Sequence, residues 1–218
     1  MGPLMTNDIE HGRISEVPRI SQQQKESNRA RILASAGEGF RTRGIDGIGI
    51  DEVMKTAGMT HGGFYNHFGS KEDLALAVLH QGFTDSLEHV ASMVSESSSP
   101  LDALHAIVDN YLTTSHRDHP GQGCASATLV ADAGRHGVDA QAEYTRGLEG
   151  YLAAFTDVLL GIADQAGTPL EPAVARERSI ALFSAMVGAL VISRAVGRAD
   201  PALSDEVLAA TAKELKAQ

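Results

Sequence analysis

The stretch from Ile48 to Leu74, IGIDEVMKTAGMTHGGFYNHFGSKEDL, constrains this chain more than any other part of it. A short helix is predicted from Ile50 to Thr56, with Ile50, Val53, Met54 and Ala57 spaced to face inward and Asp51, Glu52 and Lys55 outward. Gly58 then breaks it, because glycine accepts the positive φ that turns a chain sharply. A second helix is expected from about Thr60, its N-cap, to His67, with Phe64 and Phe68 as inward anchors. Ser70 followed by Asp73 is the capping pattern of a third helix. A helix, a tight glycine turn and a short second helix with polar and aromatic tips make the layout of a helix-turn-helix DNA reader.

Gly62 and Gly63 each cost about 1 kcal/mol against alanine in a helix, so stability does not account for them on an exposed face. Close approach to another surface does. Thr60, His61, Tyr65, Asn66 and His67 carry hydrogen-bonding tips suited to base edges and phosphates. Tyr65 and Lys71 are expected to hold the duplex backbone, with Thr60 and His61 nearer the bases. Lys71 opposes the dipole of the third helix unless a phosphate lies at that end.

The same residues carry a family resemblance. Ala57-Gly58-Met59-Thr60, Gly63-Phe64-Tyr65, His67-Phe68 and Ser70-Lys71-Glu72-Asp73-Leu74 resemble the DNA-binding domain of the TetR/AcrR family of transcriptional regulators. The likeness covers about Lys25 to Leu74, with Ala30, Ile32, Leu33, Ala36, Phe40 and Gly44 where that family has its first helix and its terminator. One position departs from the pattern: Gly49 stands where the family often has a Ser or Thr, so no phosphate contact is assigned there. The resemblance implies a homodimer on a palindromic operator in double-stranded DNA, and a small-molecule effector bound between the helices of a larger domain.

A net charge of −10 is unusual for a DNA binder until it is divided along the chain. From Arg19 to Lys71 there are eight Lys and Arg against five Asp and Glu; from Leu74 onward there are nine against eighteen. The acid lies outside the reader, so the body is kept off the duplex while the reader approaches it. The single cysteine excludes an intrachain disulfide framework and fits a reducing cytoplasm. The first residues lack the apolar centre of a signal peptide, and the apolar run Ile180 to Ile192 is too short to span a bilayer, so no membrane is expected.

The expected organisation is all-α: a flexible arm over residues 1–23, a three-helix DNA-binding domain over 24–70, and a helical ligand-binding and dimerisation domain over 71–218. Breakers and periodicity predict helices at about 25–43, 70–95, 101–117, 123–135, 138–166, 172–197 and 204–217. The run Ile180 to Ile192 is apolar nearly all round and needs cover on two sides. Its small residues Ala181, Ser184, Ala185, Gly188 and Ala189 suit the close approach of a partner helix. The resemblance implies that the last two long helices supply this dimer as a four-helix bundle.

Phe83, Tyr111, Tyr151, Phe155 and Phe183, with Met93 and Met186, are spread over several helices and are candidates to line a shared pocket together with Cys124. Core packing accounts for any one of them equally well. Cys124 follows Pro120-Gly121-Gln122-Gly123, so it is expected in the first turn of a helix, where the thiolate is favoured. This suggests a thiol-based redox or electrophile sensor as the alternative function. His116, His119 and Cys124 are acceptable metal ligands, yet their spacing fits no closed site, and a metal-dependent enzyme built on them with Asp118 is a distant alternative. No HExxH, phosphate-binding glycine loop or nucleophile elbow is present, so neither catalysis nor a cofactor is expected.

Overall fold

Serine, threonine and aspartate caps and glycine stops set the helix boundaries. A computed structural model describes residues 21–217, which contain ten α-helices and no strand. Helix α1 (Gln22–Arg43) starts under the Ser21 hydroxyl, which accepts from the Gln24 amide, and ends at Gly44 with φ 78°. It therefore begins inside the stretch expected to be a mobile arm; the rest of that arm, residues 1–20, lies outside the described residues. Helix α2 spans Ile50–Thr56 as anticipated, and Gly58 turns the chain at φ 70°.

The second helix of the reader is a 3-10 helix, His61–Asn66, rather than an α-helix. Two glycines in six residues favour the tighter turn, with Gly63 donating to the Thr60 carbonyl at 3.0 Å and His67 to that of Phe64 at 2.8 Å. Thr60 occupies the N-cap position, but its side chain makes no capping bond. Helix α3 (Lys71–Glu96) is capped by Ser70, whose hydroxyl accepts from the Asp73 amide.

Helix α4 (Pro100–Tyr111) has Ser99 as its cap and proline in its first turn. The single helix expected over 101–117 is two, because Leu112 leaves helical geometry and Thr113 caps a new turn, α5 (Thr114–Asp118). The expected 123–135 helix also divides. A 3-10 turn at Pro120–Gln122 is followed by α6 (Ala125–Thr128) and α7 (Val130–Arg135), separated at Leu129. The long helices are α8 (Gly137–Gln165), α9 (Pro172–Val196) and α10 (Pro201–Lys216). Helix α10 starts before its expected position because Asp200 caps it, accepting from Leu203, and Pro201 fits its first turn.

One continuous cluster of buried side chains runs from Ile32 and Phe40 on α1, through Phe64, Leu74 and Val78, to Leu190 on α9 and Leu208 on α10. Fully burying such side chains stabilises by about 1.5–3 kcal/mol each. Reader and body thus share a core rather than being joined by a loose linker. Helix α9 is also longer than its apolar run: by length and a mean hydropathy of 1.9 over its richest window it could cross a membrane, contrary to the length argument from sequence. Its Leu182, Phe183, Met186 and Leu190 side is nonetheless packed into the protein core.

Candidate functional site

The reader face is built on a small apolar floor. Phe64 and Phe68 are buried and stacked with centroids 5.8 Å apart, and Arg29 of α1 closes the edge, 4.1 Å over the Phe68 ring and donating to the His67 carbonyl at 2.9 Å. From this floor Thr60, His61, Gly62, Tyr65 and Asn66 project into solvent, with Tyr65 61% exposed. Gly63 and Lys71 are half-buried beside them. A Cβ at Gly62 would meet nothing, and one at Gly63 only ordinary contacts, so the chain itself does not require glycine at either place. His61 pairs with Asp51 of α2 and packs edge-on to Tyr65 at 6.0 Å. His67 differs from the others in being turned partly inward: its Nδ1 is buried without a partner among the described residues, and burial, with Lys25 and Arg29 nearby, holds it below the usual histidine range. Arg29 was missed from sequence because its role, bracing a turn 38 residues away, has no local signature.

The body contains a cavity of about 620 Å³, within the range of small-molecule pockets. Tyr111, Cys124, Tyr151, Phe155 and Phe183 line it, joined by Met93 and Met186. Tyr151 and Phe183 pack at 4.8 Å and Phe155 and Phe183 at 6.2 Å, giving one wall an aromatic surface. Phe83 does not reach it. Its ring lies edge-on to Tyr144 at 5.2 Å and fills the space over Gly147, where any Cβ would overlap it. The rest of the lining includes the polar residues Arg41, Asp85, His89, Asn110, His116 and His119.

His116 is spoken for. Its Nδ1 lies 2.8 Å from the Tyr111 carbonyl and so carries the proton, while Nε2 accepts from the Cys124 amide at 3.1 Å. Burial lowers its pKa, opposed by the bond to Tyr111, and the neutral ring has no nitrogen left for a metal. His119 Nδ1 is engaged with the Ser115 carbonyl at 2.9 Å. This removes the basis for the metal reading, and no group of three or more metal-ligating side chains occurs among the described residues.

Cys124 is not in the first turn of a substantial helix. It is the N-cap of the four-residue α6, too short to have much dipole, and its buried Sγ shares hydrogen bonds with Ser126 Oγ at 2.7 Å and Tyr151 Oη at 3.3 Å.

Three contacts fasten the reader to the cavity wall. Arg41 Nε donates to the Gly121 carbonyl at 2.8 Å, the Ile45 amide donates to Asp132 Oδ1 at 3.0 Å, and His136 Nε2 approaches Asp46 at 3.6 Å. The segment from Gly121 to His136 therefore touches α1 and its terminator on one side and, through Gln122, Gly123 and Cys124, the cavity on the other.

On α9 the small-residue face is divided. Ala181 and Ser184 are exposed, Ala185 and Gly188 half-exposed, and a Cβ at Gly188 would meet nothing within 4 Å. Ala189, one 100° step further round, is buried at 5% in its own protomer's core and does not belong to that face. Ile180, Val191 and Ile192 of the same helix are exposed apolar residues, as is Leu203 of α10. Patches of this kind on a soluble protein mark contact surfaces.

Residues 32–78 match the family model for bacterial regulatory proteins of the tetR family. An uncharacterized HTH-type transcriptional regulator of Mycobacterium tuberculosis is 33% identical over 112 residues, 49% of this chain and 53% of the relative, so the match spans about half the length of that relative. The HTH-type transcriptional repressor NemR of Escherichia coli is 23% identical over 141 residues, 64% of this chain and 71% of its own length. In solved structures, reduced E. coli NemR superposes with a TM-score of 0.74 at 22% identity, covering 88% of this chain and 96% of that one. A TetR-family regulator from Agrobacterium tumefaciens gives 0.75 at 21% identity, covering 88% and 97%.

Proposed function

We propose that the chain, whose residues 32–78 match the tetR family of bacterial regulatory proteins, is a helix-turn-helix regulator of transcription, a homodimeric cytoplasmic repressor released from a palindromic operator when a small molecule fills its cavity. The observation that carries this reading is the continuity of α3. The helix begins at Lys71 against the reader, buries Leu74, Ala75 and Val78 in the shared core, and then lines the cavity with Gly82, Asp85, His89 and Met93. Lys71 and Met93 are separated by about 33 Å of helix. A tilt of about 5° at the ligand end would displace the reader end by about 3 Å over that length. Two readers of a dimer must match successive major grooves about 34 Å apart, so a shift of that size changes the fit. A ligand drives it only by binding the released arrangement more tightly than the operator-bound one.

In this reading Thr60, His61, Gly62, Gly63 and Asn66 face base edges and Tyr65 and Lys71 the backbone. The exposed face of α9, with α10, forms the two-fold contact. The repressor name of NemR supports the sign of regulation. Fragments of the source genome selected on the purified protein should share a palindrome bound by two protomers, and deleting the gene should raise transcription beside it. Failure to enrich a palindrome, or a fall in transcription, refutes the repressor reading.

A second reading, a sensor acting through the Cys124 thiol, is favoured by one observation: Cys124 is part of the cavity lining. Iodoacetamide would form the S–C bond with loss of iodide and a proton, and should release the operator from the wild-type protein but not from Cys124→Ser. A thiol inert in the native state, or a modified protein that binds DNA as before, excludes it.

A further inference from the structure

We propose that the cavity selects a small organic carboxylate with an apolar body, and that Arg41, a residue of the DNA-binding domain, is its anion partner; the inference rests on the ligand-released reading above. Arg41 lies near the C-terminal end of α1 and lines the cavity. Its Nε donates to the Gly121 carbonyl, while Nη1 and Nη2 have no hydrogen-bond partner among the described residues. No carboxylate there stands within ion-pair distance. Asp85, the charged neighbour that most favours the Arg41 cation, instead accepts from Gln81 Nε2 at 2.6 Å. Burial lowers the Arg41 pKa, the mark of a partly desolvated guanidinium.

A second polar residue, Tyr111, borders the same cavity with its hydroxyl turned away from the open space. Tyr111 Oη is buried beside the Ser126 hydroxyl, which also lies 2.7 Å from Cys124 Sγ. Burial raises the Tyr111 pKa well above the ordinary phenol value, so the group is a neutral O–H donor at physiological pH. The planar fork of Arg41 fits a carboxylate, which guanidinium holds bidentately. Arg194 reinforces the sign: it donates to the carbonyls of His116 at 2.6 Å and Arg117 at 3.1 Å, adding a half-buried positive charge behind the same wall. The apolar body of the ligand is matched by Met93, Ile107, Phe155, Phe183 and Met186.

The geometry also gives the ligand a direct hold on the reader. Arg41 follows Phe40, which is buried in the core with Ile32 and Ala36 of the same helix. A carboxylate that draws the guanidinium toward the cavity competes with the Gly121 carbonyl and shifts α1 against the turn at Pro120–Gln122.

The test uses the full-length protein without DNA and a matched probe set: ω-phenylalkanoates of increasing chain length, their primary amides and the corresponding amines. Calorimetric titration should show at least one carboxylate binding about tenfold or more tightly than its amide. Arg41→Gln, whose amide can still donate to Gly121, should bind the pair within about twofold, and Arg41→Lys, which keeps the charge without the fork, should retain part of the preference. Equal affinities in the wild-type protein, a preference that survives in Arg41→Gln, stronger binding of amines, or no carboxylate bound by about 5 mM overturns the proposal. If Arg41→Gln does not fold, the carboxylate-to-amide ratio in the wild-type and lysine proteins decides it. Repeating the titrations on an operator complex separates this claim from the regulator reading. A carboxylate that binds without releasing DNA counts against release, whereas operator binding with no carboxylate preference counts against the ligand class.

Discussion

Replacing Gly188 with leucine tests the proposed dimer without disturbing the protomer. In the single chain a Cβ at this position meets no atom within 4 Å among the described residues, so a side chain starts out into open space. Leucine is also a better helix former than glycine by nearly 1 kcal/mol, so an isolated protomer should fold as well as before or slightly better. If a partner α9 packs on the face of Ala181, Ser184, Gly188 and Ile192, the substitution enters a two-fold contact twice. Overfilling a packed site costs about 1–3 kcal/mol, hence about 2–6 kcal/mol for the pair. That raises the dimer dissociation constant by between roughly thirty-fold and twenty-thousand-fold. Sedimentation velocity over a concentration series, with circular dichroism on the same samples, should find helical monomers. Gly188→Ala should give a smaller shift of the same sign and remains readable if the leucine variant precipitates. Ala189→Leu is the control: that side chain points into its own core at 5% exposure, so it should lower stability rather than split a stable dimer. A soluble Gly188→Leu dimer of unchanged affinity would place the interface elsewhere.

Three further outcomes follow from the site geometry. Lys71→Ala should weaken binding to all duplexes alike and reduce the salt slope by about one unit, measured by fluorescence anisotropy; an unchanged slope takes Lys71 off the phosphate backbone. Asp132→Ala leaves the amide of the buried Ile45 without its acceptor and should lower urea stability by about 1–3 kcal/mol, whereas Asp132→Asn, which still accepts, should lose much less; equal losses would discount that bond. Burial holds His116 below its ordinary 6.5, so the folded state favours the neutral ring: stability is full above 6.5 and declines as pH falls through the lowered folded value. His67 acts with the same sign. His116→Gln, which can still accept from Cys124, should flatten the fall in melting temperature between about pH 7 and 5; a profile parallel to the wild type removes His116 from the acid response.

The reader was legible in the sequence because its signals are local. Gly58 takes a positive φ, Ser70 caps within three residues, and Phe64 and Phe68 face inward by spacing alone. Its helix type was not legible, since the choice between α and 3-10 over six residues rests on fractions of a kcal/mol per glycine. The region from Leu112 to Leu129 was misjudged for a related reason: breaks within very short helices leave no periodicity to read.

The cavity was only partly legible, because an apolar residue declares that it will be buried but not against what. Phe83 and Phe155 look alike in sequence, yet Gly147 lets α8 approach α3 so closely that Phe83 fills the gap, while Phe155 reaches the cavity. Gly188 and Ala189 are neighbours in a run apolar on nearly every side, which conceals the phase of the helix; one 100° step puts the first outside and the second in the core. Arg41 gave no warning at all. A cation in the last turn of α1 reads as a partner for the helix dipole. Only the fold, by bringing the Gly121 carbonyl 80 residues away to within 2.8 Å, turns it into a group shared between reader and cavity. Residues that couple two sites are read last from sequence for this reason: their chemistry is ordinary where they stand, and their function lies in an element the chain reaches much later.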